Sequence, residues 1–193
     1  MDYVKAVAQF AFLFLSNIVL VLLGFVVVAI AIPFRVDGYS ESDGRKIVNL
    51  PKWAWLWGND FDGLLGDKRG WWAENTPFGV AVDSFLAMYT WAALRNPANN
   101  KRLLSWYQTP VVGSEISYKG DFTVEDKPGM GGWQFVKTVY DGHTSYGFYF
   151  VHEWSLTRAF VIRFGYKVKP MHSGSTDELA KGFTTKVNLY KAI

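Results

Sequence analysis

The sequence predicts an α+β protein: one N-terminal transmembrane helix, followed by a soluble domain with a mainly antiparallel sheet and one or two short helices. Three observations predict this. Residues 6–34 are an uncharged apolar run, residues 83–94 form a capped helical stretch, and from Ser114 onward the hydrophobic period changes to two. The expected division is 1–35 as anchor, 36–49 as juxtamembrane linker and 50–193 as soluble domain.

The anchor reads AVAQFAFLFLSNIVLVLLGFVVVAIAIPF, with Gln9, Ser16 and Asn17 as its only strongly polar side chains. A span needs about 20 mostly apolar residues, and this run exceeds that. Lys5 and Arg35 bracket it, and Pro33 stands where a helix ends. A cleaved signal peptide is the competing reading, because Ala29-Ile30-Ala31 has the small-x-small form of a cleavage site. The apolar run is far longer than a usual signal core, and the n-region is only Lys5 offset by Asp2, so the anchor reading leads. Arg35, Arg45, Lys46 and Lys52 follow the helix, against Lys5 and the amine before it. That balance places the soluble domain in the cytoplasm.

Asp37 to Lys46 is polar and turn-rich, as a linker should be. Trp53, Trp55 and Trp57 follow Leu50-Pro51; they read either as an interfacial belt beside the span or as the start of the domain core. In Gly58 to Trp72, Asp60, Asp62 and Asp67 lie among Gly63, Gly66 and Gly70. Clustered carboxylates suit a hard cation such as Ca²⁺ or Mg²⁺, but the EF-hand spacing is absent, and Asp and Gly are ordinary turn formers. Turn chemistry therefore leads and no cofactor is expected. Asp83 or Ser84 caps a helix of about three turns that Arg95-Asn96-Pro97 ends.

Strands are expected within Glu115–Val124, Trp133–Tyr140, His143–Val151, Arg158–Lys169 and Phe183–Leu189, with a hairpin at Asp141-Gly142. In the fourth, Phe160, Ile162, Phe164, Tyr166 and Val168 fall on one face, and Arg163, Lys167 and Lys169 on the other. The sheet should therefore have one wet, basic face. Arg163 and Lys167 on it are candidate phosphate-binding residues, although a solvated strand face carries Lys and Arg routinely.

The absence of Cys excludes disulfides, thiolate zinc sites, Fe–S clusters and Cys nucleophiles. The 9 Trp, 10 Tyr and 15 Phe supply ample core material, so general disorder is not expected. A net charge of +3 demands no nucleic-acid partner. His152-Glu153 does not extend to H-E-x-x-H, Gly129 to Gly132 lacks a nucleotide-loop spacing, and there is no G-x-S-x-G elbow. Tyr146 to Glu153 echoes an RNA-binding strand but lacks its leading basic residue and its small residue, so no nucleic acid is expected.

Several pieces in order resemble a family of small single-span membrane proteins of tailed bacteriophages. They are the N-terminal span, Leu50-Pro51-Lys52-Trp53, the Trp57 to Gly63 loop, Pro77-Phe78-Gly79, a Trp-containing helix ending Arg95-Asn96-Pro97-Ala98, and Gly165-Tyr166-Lys167. The loop GNDFDGLLGD departs from that family's proline-rich form. The resemblance implies a phage origin and a membrane address, and it transfers no catalytic residue. Arg95 and Asn96 are matched polar positions and so candidate binding residues. The expected function is binding, not catalysis: a protein held in the host inner membrane that meets lipid and a host or phage protein, modulating the host or excluding a second phage. A virion component that inserts during DNA delivery is the first alternative. A membrane-tethered metal-dependent enzyme using the Asp60/Asp62/Asp67 loop is the second.

Overall fold

The computed structural model describes residues 2–39, 44, 46–58, 64, 80–81, 83–97, 111–176 and 182–193. In chain order they form helix α1 (Asp2–Ala31), strands β1 (Val36–Tyr39) and β2 (Lys46–Asn49), and helix α2 (Phe85–Thr90). Strands β3 (Glu115–Gly120), β4 (Gly132–Tyr140), β5 (His143–Ser155), β6 (Arg158–Tyr166) and β7 (Phe183–Ala192) follow. The fold is α+β. Its contacts define two compact units that do not follow the expected anchor–linker–domain division: Met1–Leu15 with Arg102–Ile193, and Ser16–Lys101. The expected linker, 36–49, contains the β1–β2 hairpin, in which Lys46 pairs with Asp37 at 2.8 Å.

The first unit is an antiparallel meander in the order β3-β4-β5-β6-β7. Asp141-Gly142 makes the β4–β5 turn with φ of 46° and 74°, the left-handed pair that a tight hairpin requires. Cross-strand register gives one face a row of Phe135, Phe148 and Phe164, then a second row of Trp133, Phe150, Ile162 and Val187. The opposite face carries Tyr149, Val151, Ala159 and Val161, which pack with Val124 and Ile193.

Helix α1 lies across the first aromatic row. Tyr3 meets Phe135 at 5.0 Å between ring centroids, Phe10 meets Phe164 at 6.2 Å, and Leu13 is buried with Tyr166 and Phe183. Gly165 allows the approach, because a Cβ there would strike both the Phe10 ring and the Tyr146 carbonyl oxygen. Its φ of +76° also suits glycine alone.

The basic strand face expected to be wet is the covered one. The connection from Asp121 to Gly131 folds over it: Glu153 accepts the Gly129 and Gly131 N–H groups, and Gln134 donates to the Asp121 and Phe122 carbonyls. Arg163 is half-buried there, its guanidinium 4.5 Å from the centre of the Tyr149 ring. The aromatic face, expected to be inside, is the partly open one: Trp133 and Val187 are exposed. Alternation assigns two faces to a strand. Which one the protein covers is decided by the distant segments that fold onto it.

In the second unit, Val28 and Ala31 of α1 join Val48, Leu50, Trp57 and Trp91 in one core. Ser84 caps α2 by accepting the Ala87 N–H at 3.2 Å, and a π-helical turn over Trp91–Arg95 completes the segment expected from the sequence.

Candidate membrane-attachment face

In α1 the covered positions recur at alternating spacings of four and three: Ala6, Phe10, Leu13, Asn17, Leu20, Gly24, Val27 and Ala31. The opposite side is largely exposed, and its exposed side chains are apolar apart from Lys5 and Tyr3: Val7, Phe14, Leu15, Ile18, Leu22, Val26 and Ile30 trace it. At 1.5 Å rise per residue, that side runs about 35 Å from Val7 to Ile30. Among the described residues, α1 with its terminal turn (Asp2–Phe34) is long and apolar enough to cross a membrane. Apolar patches of this extent on a folded protein mark contact with lipid or with another protein.

The covered side carries the polar groups, and Gln9 and Asp2 have partners in the unit that covers them, whereas the buried Asn17 Oδ1 has no hydrogen-bond partner among the described residues. Gln9 donates Nε2–H to the Thr144 carbonyl at 3.0 Å and accepts the Tyr146 N–H at 2.8 Å. β5 is paired with β6 only from Gly147 onward, so the Gln9 amide satisfies backbone groups that precede that pairing. Asp2 pairs with Lys137 at 3.2 Å and accepts the Tyr146 hydroxyl. Further along, the Trp57 Nε1–H donates to the Leu20 carbonyl at 3.0 Å and the Tyr89 hydroxyl to the Phe25 carbonyl at 3.0 Å. Gly24 makes room for that indole: a Cβ there would lie 2.7 Å from Trp57 Nε1.

Beneath the Asp121–Gly131 connection sits a charged cluster of a different kind. Lys169 and Lys127 both pair with Glu125, and Lys191 pairs with Asp126 at 2.8 Å. Tyr149 donates to Asp126 at 2.9 Å. Burial works to raise the Asp126 carboxyl, but the Lys191 ammonium and the Tyr149 hydroxyl outweigh it and bring it down to about 2. Burial, with Asp126 beside it, pushes the Tyr149 phenol up, and burial presses the Arg163 guanidinium down. A depressed carboxyl stabilises the fold above its unfolded value of 3.8 and loses that contribution as pH falls through about 2. The expected result is a drop of about 1 kcal/mol in unfolding free energy between pH 5 and pH 2 from this group, after solvent screening at a half-buried site. Asp126→Asn removes that slope, as paired denaturant titrations at the two pH values would read.

The sequence-derived site residues scatter. Asp60, Asp62 and Asp67 lie outside the described residues. Among the described residues no group of three or more His, Asp or Glu is placed to hold a metal. Trp53 and Trp55 are exposed, whereas Trp57 is 6% exposed and belongs to a core. Asn96 is fully buried; its Nδ2–H donates to the Trp57 carbonyl at 3.0 Å, and its Oδ1 has no hydrogen-bond partner among the described residues. Arg95 stacks over Trp91 at 5.6 Å. Arg95 and Asn96 fall in one unit and Arg163 and Lys167 in the other, and Arg163 lies at the charged cluster, over the Tyr149 ring. Gln9 reads in the sequence as no more than a polar blemish in the anchor. A lone amide inside an apolar helix is itself the signal that something must pair with it.

A profile described as "Family of unknown function (DUF7338)" matches residues 1–193, and the chain belongs to that family. No curated protein and no solved structure matches it.

Proposed function

We propose that this member of the family is a bacteriophage protein attached to the host inner membrane by α1, acting there by binding and not by catalysis. The observation that carries this reading is the exposed side of α1, apolar from Val7 to Ile30. Left in water, that side would keep about a dozen large apolar side chains hydrated, each worth about 1.5 kcal/mol or more if moved into lipid. Arg35, Lys46 and Lys52 beyond the helix support a cytoplasmic body, and the sequence resemblance supplies the phage setting. Binding, with host modulation or exclusion of a second phage as its outcome, is favoured because the charged cluster of the described residues pairs within itself, as a structural network does.

Cells expressing the full chain should keep it in the membrane pellet after detergent-free ultracentrifugation and release it with mild detergent. A supernatant location would overturn the attachment. Mass spectrometry of purified particles from the phage that encodes it should not find the chain; its presence there would move the protein to the virion and the delivery step.

A further inference from the structure

Resting on that attachment reading, we infer that α1 lies in the plane of the membrane, and that the open half of the aromatic sheet face rests on the same lipid surface. A helix that crosses alone needs hydrocarbon-compatible surroundings on every side. α1 has none to spare: in each turn one stripe is covered, in its first half by the sheet through Gln9, Phe10 and Leu13. That sheet ends at β3 and β7 among the described residues, and open strand edges are not tolerated inside hydrocarbon. Taking α1 across would carry those edges in with it. Lying flat, α1 sinks its exposed side and keeps the sheet in the headgroup region.

The direction of the sheet supports the same placement. α1 sits on the row of Phe135, Phe148 and Phe164, so its exposed side points along the outward normal of that face. The next row of the same face, Trp133, Phe150, Ile162 and Val187, points the same way and has no described helix over it. Trp133 is 44% exposed and Val187 56%. Beyond it, Phe150 meets Phe160 at 5.8 Å and His152 meets Trp154 at 4.9 Å, extending the aromatic surface. Asp121, at the rim, turns its carboxylate onto the Trp133 N–H. A helix sits about 10 Å above the sheet it packs on, and interfacial helices sink about 5–10 Å, so the helix reaches the acyl boundary as the Trp row reaches the headgroups. Trp is the residue that partitions there.

The chain has no Cys, so single-Cys variants can be spin-labelled cleanly. Val7→Cys, Leu15→Cys, Val26→Cys, Val187→Cys and Lys127→Cys are reconstituted in full-length protein into phosphatidylethanolamine–phosphatidylglycerol vesicles. Each label's collision with oxygen, which concentrates in lipid, is compared with its collision with a water-soluble nickel chelate. The expected result is one common depth for 7, 15 and 26, a shallower lipid-side position for 187, and water for 127. A deep label at 15 between shallow labels at 7 and 26 overturns the in-plane helix. A water-exposed label at 187 with lipid-exposed labels on α1 overturns the sheet contact while leaving the attachment standing. A label at 187 closed to both reagents would mean a second copy covers the face, and also overturns it. Labels on α1 that all report water would overturn the attachment itself.

Discussion

Gly165→Ala should destabilise the sheet-containing unit by about 3 kcal/mol. Two costs add. A left-handed φ of +76° costs a residue bearing Cβ about 1–2 kcal/mol, and the new methyl would collide with the Phe10 ring and the Tyr146 carbonyl oxygen, an overpacking cost of about 1–3 kcal/mol. Gly174 separates them: its φ is +74°, but nothing lies within 4 Å of the place a Cβ would take there. Gly174→Ala should therefore cost about 1 kcal/mol, the backbone share alone. Chemical denaturation of the full chain in mild detergent reads both. Equal losses for the two variants would show that α1 does not press on β6 at that point. Adding Phe10→Ala should recover only part of the Gly165→Ala loss, since the clash with the backbone oxygen remains.

Replacing Leu15, Val19, Leu22 and Val26 together by Asp should move the protein from the membrane pellet to the supernatant. All four are exposed on the outer side of α1. Each substitution forfeits about 1.5 kcal/mol of burial in lipid and adds roughly 3 kcal/mol for placing a charge there. Four such changes total about 18 kcal/mol, which matches what about a dozen large apolar side chains of the face supply at about 1.5 kcal/mol each. One substitution would leave about three quarters of the attachment in place, and for that reason a single Asp should give no visible redistribution. Circular dichroism in detergent should show α1 retained, because the covered stripe of Ala6, Phe10, Leu13 and Gly24 is untouched. Retention of the quadruple variant in the pellet would mean that other surfaces hold the protein to the membrane.

The elements themselves were legible in the chain. The uncharged run from Ala6 onward is a helix because nothing in it interrupts a helical ladder until Pro33, and Asp141-Gly142 is a turn because both positions must accept φ above zero. The alternation around Ile162 is a strand for the reason that its period is two. Ser84 is the cap of α2, since a hydroxyl at that position finds the amide three residues on. These facts are local, and local chemistry determines them.

What only the tertiary structure decided is the use each surface is put to. Gln9 and Thr144 lie 135 residues apart, so no window of sequence shows that the amide of one completes the strand of the other. Trp53, Trp55 and Trp57 look equivalent in the chain, yet only Trp57 meets a glycine on α1 and disappears into a core. The sheet offers an aromatic and a basic face, and composition alone favours hiding the aromatic one. The structure instead covers Arg163 with a loop whose carboxylates answer the nearby lysines, and leaves Trp133 and Val187 outward beside the exposed side of α1. Periodicity fixes which side chains share a face. Which face is buried depends on long-range pairing energies that summed local preference does not contain.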